Sequence, residues 1–491
     1  MADRYWLETL GCPKNQVDSA KLAGTLGARG LVPAAGPDEA DVVVVNTCAF
    51  IEAARQESVD TILELSAARR AGSRLVVTGC LAERYGDELA AALPEVDRVA
   101  GFGVDLLGQP CAPAVTGAVA APALTGAVAA PVAVPEPVPV AGPVRRPPSP
   151  RPPGAAGAAA GGERPPPAFD LLELPRPPAA APWAYVKVAE GCDRRCGFCA
   201  IPSFRGPQRS RAADAVLAEV DALGPAVREV VLVAQDLASW GHDRTAADAA
   251  DATDAADGAN GSGGSGRRRG ADRPLVALVR RVAARVERVR LLYLYPSSLD
   301  DALVDAIAET GVPYFDLSLQ HVSRPHVQRM RRWGDAERFL ERIAAIRAAA
   351  PDAALRSSFI LGYPGETEED HDQLLDFLAE ARLDWAGFFT FSPEPGTYAA
   401  GLGGAVPDGL AAERLRECAE VQDAITEEKR RDLVGRSVDV LVDSPGVGRS
   451  WREAPEIDGV VHVPADLPVG TVHRVEVRSA AGPDVWAEPA R

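Results

Sequence analysis

The sequence is poor in the residues on which several protein classes depend. Only 8 of its 491 residues are cysteine, too few for a scaffold held together by disulfides. The net charge is −17, and only four of the 52 basic residues are lysine, namely Lys14, Lys21, Lys187 and Lys429. A chain-wide basic surface that wraps nucleic acid is therefore excluded. With 47% hydrophobic and 25% charged residues, the composition is that of a globular protein of two to four domains.

The sequence also lacks an apolar segment suited to a membrane or to secretion. Its first residues show no basic stretch followed by an apolar one, so we expect no secretory signal. A long uncharged stretch that includes residues 112–135 is interrupted by Pro113, Pro122 and Pro131. Each proline removes a backbone hydrogen bond that lipid cannot replace. We therefore expect a soluble, cytoplasmic protein whose cysteines are reduced and free to bind metal.

Residues 1–110 alternate apolar runs with helical patterns. The expected strands are Tyr5–Leu10, Val42–Asn46 and Arg74–Thr78, and the expected helices are Val17–Arg29, Ile51–Arg69 and Tyr85–Leu93. Strands that alternate with helices in this way form parallel sheets. The sequence thus predicts an N-terminal parallel α/β domain.

Two segments have compositions that do not support a packed core. Residues 111–182 hold 19 of the 42 prolines and predict a semi-rigid Pro/Ala-rich linker. Residues 244–272 contain a Gly/Ser run followed by three arginines, which predicts a disordered insertion within a domain.

Residues 183–432 return to the alternating pattern. Their apolar runs are Ala184–Ala189, Glu229–Ala234, Arg290–Tyr295, Tyr314–Leu319, Arg356–Leu361 and Trp385–Phe391, with helical patterns between them. Six such units predict a partial (β/α)6 barrel. Residues 433–491 are rich in short β runs and predict a small β-barrel. The expected fold class is therefore an α/β multidomain protein.

Three cysteines follow the first strand of the central domain within eight residues, Cys192, Cys196 and Cys199. A short loop of this kind can bring three thiolates to one soft metal centre. A ferredoxin-type cluster takes four cysteines, so three leave one iron of a [4Fe-4S] cluster open to another molecule. A zinc site is the alternative, although zinc would need two separated pairs or a nearby histidine.

A second set of three cysteines is spread through the N-terminal domain, Cys12, Cys48 and Cys80. Each follows a predicted strand, and their spacing of 36 and 32 residues matches one βαβ step. We therefore expect them to gather at the carboxyl edge of the sheet, where such sheets bind ligands. Buried structural cysteines are the competing interpretation. Cys111 and Cys418 have no partner in this pattern, and we take both as incidental.

The loop from Ala189 to Pro202, AEGCDRRCGFCAIP, resembles the cluster loop of radical S-adenosylmethionine (SAM) enzymes. The resemblance implies that the open iron binds SAM, whose reductive cleavage releases a 5′-deoxyadenosyl radical. It places Phe198 near the adenine. Gly362 and Gly365 follow a predicted barrel strand, where close approach to SAM or a plain turn would require glycine. Three arginines after the loop could bind a carboxylate or phosphate, Arg205, Arg209 and Arg211.

Two three-cysteine sites in one chain resemble the methylthiotransferases among the radical SAM enzymes. Further matches are GCPKNQVDS from Gly11 and LGYPGET from Leu361, and the C-terminal part resembles the TRAM module of that family. The resemblance implies two [4Fe-4S] clusters, SAM as cofactor and an external electron donor. In that reading, the central cysteines cleave SAM, and the N-terminal cysteines hold a cluster that presents sulfur methylated by a second SAM.

The family has two branches, one acting on an aspartate of a small-subunit ribosomal protein and one on adenosine in transfer RNA. The segments AQD from Ala234, WGHD from Trp240 and APEIDG from Ala454 resemble the first. Residues 435–491 carry six arginines, no lysine and nine acidic residues, whereas a module that binds RNA needs basic ones. We therefore expect insertion of a methylthio group at the β-carbon of an aspartate, with transfer RNA as the alternative substrate. A non-enzymatic iron–sulfur electron carrier is the alternative from another class.

Overall fold

The computed structural model describes residues 3–108, 170–244 and 273–490. Residues 109–169, with Cys111 and most of the predicted linker, lie outside the described residues. So do residues 245–272, which make up nearly all of the predicted insertion. In the described ranges, no helix combines the length and the apolar character needed to cross a bilayer.

The N-terminal part is a five-stranded parallel sheet with helices packed on it, as predicted. Its elements are β1 (Arg4–Thr9), α1 (Pro13–Ala28), β2 (Val32–Pro33), β3 (Val42–Thr47), α2 (Glu52–Ala68), β4 (Arg74–Gly79), α3 (Cys80–Ala92) and β5 (Arg98–Val99). The strands lie in the order β2-β1-β3-β4-β5. All six residues of β3 are buried, because a central parallel strand is covered on both faces.

The central part contains six parallel strands in an open arc. Its elements are β6 (Trp183–Lys187), β7 (Ala189–Glu190), α4 (Ile201–Arg205), β8 (Arg209–Ser210), α5 (Ala213–Ala222), β9 (Glu229–Val233), α6 (Pro274–Ala283), β10 (Arg288–Leu291), α7 (Asp301–Ala308), β11 (Tyr314–Gln320), α8 (Arg324–Arg329), α9 (Ala336–Ala349), β12 (Ala354–Leu361), α10 (Glu368–Ala381), β13 (Trp385–Thr390) and α11 (Asp408–Arg431). Strand β9 lies between β6 and β10, and β12 lies between β11 and β13. A bridge between Leu294 and Leu317 joins the two sets, which confirms the partial (β/α)6 barrel.

The C-terminal part is a closed five-stranded barrel, which confirms the predicted small β-barrel. Its strands are β14 (Ser437–Ser444), β15 (Val447–Arg449), β16 (Val461–His462), β17 (Val472–Ala481) and β18 (Asp484–Pro489). They close in the order β14-β15-β16-β18-β17. Val438, Val440 and Val442 alternate along β14 and point into the barrel core, as the two-residue period of a strand requires.

All three parts meet on the inner face of the central arc. Val17 of α1 packs there against Tyr185 and Val231, and Ala454 of the C-terminal part belongs to the same buried cluster. Tyr185 donates a hydrogen bond of 2.9 Å to the Pro455 carbonyl oxygen. The APEIDG segment noted in the sequence and α1 therefore both pack against this face of the arc.

The described end of the predicted linker is packed rather than free. Leu171 and Leu172 are 7% and 1% exposed, and the buried Lys21 donates a 2.5 Å hydrogen bond to the Leu172 carbonyl oxygen. Arg176 donates to the Tyr185 carbonyl oxygen of β6 at 2.6 Å. The proline content of residues 111–182 predicted a linker, and it did not show that the apolar residues at its end pack against the rest of the chain.

Candidate active site at two cysteine triads

The N-terminal cysteines lie at the carboxyl ends of three neighbouring strands. Cys12 caps α1 after β1, Cys48 follows β3, and Cys80 opens α3 directly after β4. Because β1, β3 and β4 are adjacent and parallel, their carboxyl ends share one edge of the sheet. We call Cys12, Cys48 and Cys80 the N-terminal triad.

Gly11 brings the backbone before Cys12 into contact with Cys48. Its φ is +90°, in the left-handed region that favours glycine, and a Cβ there would lie 2.8 Å from Cys48 Cβ and 2.9 Å from its Sγ. Asn15 reaches the third member, since its Oδ1 lies 3.8 Å from Cys80 Sγ. The GCPKN segment therefore connects the members of the triad.

The central cysteines lie on the loop between β7 and α4, and we call Cys192, Cys196 and Cys199 the central triad. Backbone hydrogen bonds hold this loop to two other segments. Gly197 N donates to the Met330 carbonyl oxygen, and Ala399 N donates to the Gly197 carbonyl oxygen, both at 2.8 Å. The loop position is therefore set by residues more than 130 positions away in the sequence.

Burial makes most of these thiols weak acids. It raises the pKa of Cys48 and of Cys199 to about 12 and that of Cys192 to about 11. Burial also raises the pKa of Cys12, but the nearby Lys14 and Arg205 charges and backbone hydrogen bonds from Asn15 and Lys14 together lower it by more, so the net shift is downward. Metal binding therefore has to release protons from these cysteines.

Each triad has one guanidinium that donates to a sulfur. Arg205 Nη2 lies 3.0 Å from Cys80 Sγ, and Arg332 Nη1 lies 3.1 Å from Cys196 Sγ. Hydrogen bonds and positive charge at cluster sulfurs tune reduction potentials. These contacts could not be predicted from the sequence, because arginine is abundant and Arg332 is 136 residues away from Cys196.

Arg205 also joins the N-terminal and central parts through carboxylates. Its Nη1 donates to both oxygens of Glu190, at 2.8 and 3.0 Å, and lies 3.5 Å from Asp18 of α1. Lys187 is fully buried and pairs with the same two carboxylates. Since Glu190 precedes Gly191-Cys192, this network connects the two triads.

The other two arginines proposed from the sequence also bind carboxylates of the chain itself. Arg209 pairs with Asp170 at 2.6 Å, and Arg211 pairs with Glu219 at 2.6 Å. Arg211 is only 4% exposed, so its guanidinium is buried together with its carboxylate partner. Both guanidinium groups therefore have structural partners.

Phe198 and the two glycines proposed to contact SAM lie next to one another. Phe198 packs against a buried cluster that contains Met330 and Tyr363, and Tyr363 lies between Gly362 and Gly365. Both glycines have positive φ, +72° and +82°. A Cβ at Gly362 would lie 2.7 Å from an Ala411 side chain, so close packing is a sufficient reason for that glycine, and a contact with SAM stays a prediction.

The donor sets fit iron–sulfur clusters with three protein ligands. Each triad offers three free thiols, and Cys418, the remaining described cysteine, is fully buried on α11. Soft thiolates select such clusters. No three Cys, His, Asp or Glu side chains in the described ranges surround a position for a single metal ion. A four-iron cluster takes its thiolates on different iron atoms, so its ligands need not meet at one point.

Three family models match the chain, one in each of its N-terminal, central and C-terminal parts. Residues 4–101 match the model described as uncharacterized protein family UPF0004, residues 186–378 match the radical SAM superfamily, and residues 434–489 match the TRAM domain. The cysteines of the N-terminal triad fall in the first match and those of the central triad in the second.

Among solved structures, the chain is similar to the radical SAM methyltransferase TsrM from Kitasatospora setae with cobalamin and a [4Fe-4S] cluster bound. The identity is 14%, the TM-score is 0.43, and the match covers 91% of this chain and 80% of that one. The cobalamin-dependent radical SAM enzyme OxsB matches with 12% identity and a TM-score of 0.42, over 86% of this chain and 56% of that one.

Curated relatives match over nearly the full length. The ribosomal protein uS12 methylthiotransferase RimO of Moorella thermoacetica is 40% identical over 96% of this chain and 95% of the relative. The protein of the same name from Kineococcus radiotolerans is 38% identical over 98% and 96%. With both cysteine triads, a radical SAM arc and a TRAM barrel in one polypeptide, this chain belongs to the RimO family of radical SAM methylthiotransferases.

Proposed function

We propose that this protein inserts a methylthio group at the β-carbon of an aspartate in a small-subunit ribosomal protein. The observation that carries the proposal is the pair of three-cysteine sites, joined through Arg205, which contacts Cys80 and Glu190. Relatives of nearly full length are named for methylthiolation of ribosomal protein uS12, which supports the same substrate here.

Two [4Fe-4S] clusters, one on each triad, and SAM are the cofactors of the proposed reaction. When bound, they supply the reductive cleavage of SAM and the sulfur that is transferred. The chain itself supplies the ligands: the central triad Cys192, Cys196 and Cys199 and the N-terminal triad Cys12, Cys48 and Cys80. Reductive cleavage of SAM consumes one electron, and we expect an external electron donor to supply it.

The surroundings of the triads suit a reaction that water would disturb. Cys48 and Cys80 are each 7% exposed, and Cys192 is 9% exposed. The network of Arg205, Lys187 and Glu190 keeps the domain boundary closed beside them. We expect Phe198, Gly362 and Gly365 to line the SAM site, because Phe198 packs against the segment that carries both glycines.

The charge of the C-terminal barrel favours a protein substrate over RNA. Its nine acidic residues outnumber its six arginines. Several of those arginines are already paired, for example Arg449 with Asp443 and Arg474 with Asp439. A net negative charge complements a basic ribosomal protein and disfavours phosphates. The proposal therefore places the protein in the cytoplasm with a ribosomal protein as partner, without a role for a membrane or for transfer RNA.

The direct test uses the full-length protein, reconstituted anaerobically with iron and sulfide. Incubation with SAM, a reductant and ribosomal protein uS12 should give a methylthiolated aspartyl peptide by mass spectrometry, and Cys196→Ala should give none. Modification of adenosine in transfer RNA instead of the peptide would reverse the choice of substrate. An electron carrier would produce no 5′-deoxyadenosine under the same conditions.

A further inference from the structure

Lys14 is a buried lysine that forms no ion pair with a carboxylate in the described part of the chain. Burial lowers the pKa of its ammonium group, and Cys12, Asp316 and Cys80 oppose that shift. Lys14 is 9% exposed, and its Nζ makes no hydrogen bond within the described ranges. Its close contact is the face of the Tyr293 ring, with the centroid 3.4 Å away. A buried charge is costly unless an opposite charge accompanies it, so this position is prepared for an anion.

The other three lysines of the chain each form an ion pair with a carboxylate. Lys21 pairs with Glu219 at 3.2 Å, and Lys429 pairs with Asp384 at 3.0 Å. Lys187 pairs with two carboxylates. Lys14 alone among the four contacts an aromatic face instead of a carboxylate.

Lys14 lies between the N-terminal triad and the inner face of the arc. It stands two residues after Cys12, in the first turn of α1. Val17, three residues further and therefore on the same side of the helix, packs against the inner-face residues Tyr185 and Val231. The ammonium group is thus held at the opening of the arc, beside the triad.

The groups around Lys14 already have partners of their own. Backbone hydrogen bonds from Lys14 and Asn15 lower the pKa of the Cys12 thiol, so the first N–H groups of α1 already serve that cysteine. Tyr293 has a φ of +65°, which is strained for an aromatic residue, and its N–H donates to Asp316 at 2.9 Å. Asp316 also accepts from Arg356 at 3.0 Å, so its carboxylate is already engaged.

We propose that Lys14 binds the carboxylate of the substrate aspartate. The inference rests on the proposed function and deepens it. A carboxylate held there fixes the adjacent β-carbon beside the N-terminal triad. A neutral nucleobase would leave the ammonium buried and unpaired, so the same residue selects an acidic side chain. The rival explanation is that Lys14 only neutralises the thiolates of the triad.

The test measures binding, because binding does not depend on turnover. Labelled copies of the uS12 peptide that the wild-type enzyme modifies, with either aspartate or asparagine at the target, are titrated with reconstituted full-length protein. We expect wild type to prefer the aspartate peptide about tenfold or more, since a charge-assisted bond is lost with asparagine. Lys14→Met should bind both peptides equally, and Lys14→Arg should keep a preference. Lys429→Met is the matched control and should behave as wild type.

Each other outcome has a definite meaning. A wild type that binds both peptides equally, or a Lys14→Met variant that keeps the preference, overturns the role of Lys14. Loss of iron and sulfide from Lys14→Met with an unchanged preference supports the rival explanation instead. If wild type cleaves SAM but modifies no uS12 peptide, the proposed function fails and the inference about Lys14 fails with it.

Discussion

Arg205 Nη2 donates a hydrogen bond of 3.0 Å to the Sγ of Cys80, although the two residues belong to different domains. The same guanidinium holds Glu190, which stands two residues before Cys192. One side chain therefore touches a cysteine of the N-terminal triad and a residue next to the central triad. Arg205 is 8% exposed, so water competes little for these contacts.

Replacing Arg205 should change the electronic properties of the N-terminal triad. In Arg205→Met, the loss of a positive charge and of a hydrogen bond to sulfur should make a cluster at Cys80 harder to reduce. The reduction potential, measured by titration with electron paramagnetic resonance in a chain lacking the central triad cysteines, should become more negative. Arg209→Met, which removes a pair with Asp170, is the control. An unchanged potential in Arg205→Met would contradict the contact.

Single cysteine variants should separate the two triads. Cys196→Ala should abolish formation of 5′-deoxyadenosine, because the central triad is the proposed site of SAM cleavage. Cys48→Ala should retain some uncoupled cleavage of SAM but contain about half the iron and sulfide of wild type. Cys418→Ala, in the buried face of α11, should retain the full iron content. A Cys48→Ala protein with as much iron and sulfide as wild type would disprove the second cluster.

Glu229 should be a strong contributor to stability at the boundary between the central and C-terminal parts. It is fully buried and accepts from Arg290 at 2.7 Å and from Arg449 at 2.9 Å. Glu229→Gln should lower the free energy of unfolding by about 3–5 kcal/mol, because both guanidinium groups lose their charged partner. Urea unfolding at neutral pH measures this. Glu309→Gln, which breaks an exposed pair with Arg280, should cost less than about 1 kcal/mol.

Glu229→Gln should also change how the free energy of unfolding depends on pH. Burial opposes ionisation of Glu229, but Arg290 and Arg449 outweigh it and lower the pKa from 4.5 to about 2. The stabilisation is then present above pH 4.5 and is lost as the pH falls from 4.5 towards 2. The unfolding free energy of wild type should drop more steeply in that window than that of Glu229→Gln. Parallel curves would contradict the ion pair.

Asp458 should give the free energy of unfolding a pH dependence of opposite sign to that of Glu229. Burial raises its pKa from 3.8 to about 6, against the opposing effect of Arg356. The folded protein holds a proton that the unfolded chain releases, so the free energy of unfolding should fall as the pH rises from 4 to 6. Asp458→Asn should lack this fall. Asp439→Asn, in an exposed pair with Arg474, should follow wild type.

Elements with strong local signals were predictable from the sequence. The four valines that begin at Val42 form the centre of a parallel sheet, as their pattern indicated. Helix α10 (Glu368–Ala381) occupies one of the helical patterns between the apolar runs, and Thr367 and Asp370 form a capping box at its start. The position of each N-terminal cysteine after a strand was also predicted, since it depends only on the order of strands and helices.

Features that depend on distant residues were not predictable. Helix α3 begins at Cys80, five residues before the predicted Tyr85, and Gly86 interrupts its helical backbone with φ 6° and ψ −91°. Strand β15 has only three residues, too few for a visible alternation. The contacts of Arg205 and Arg332 with cysteine sulfurs join positions more than 120 residues apart, and no local pattern encodes them.

The buried cluster shared by Val17, Tyr185 and Ala454 limits how such a protein can evolve. Each of its three parts supplies atoms to one common interior, so none can be exchanged for a foreign module without leaving a hole or a clash. Recombination at the domain boundaries would be penalised even when every cysteine of both triads is retained. We therefore expect the three parts to be inherited together.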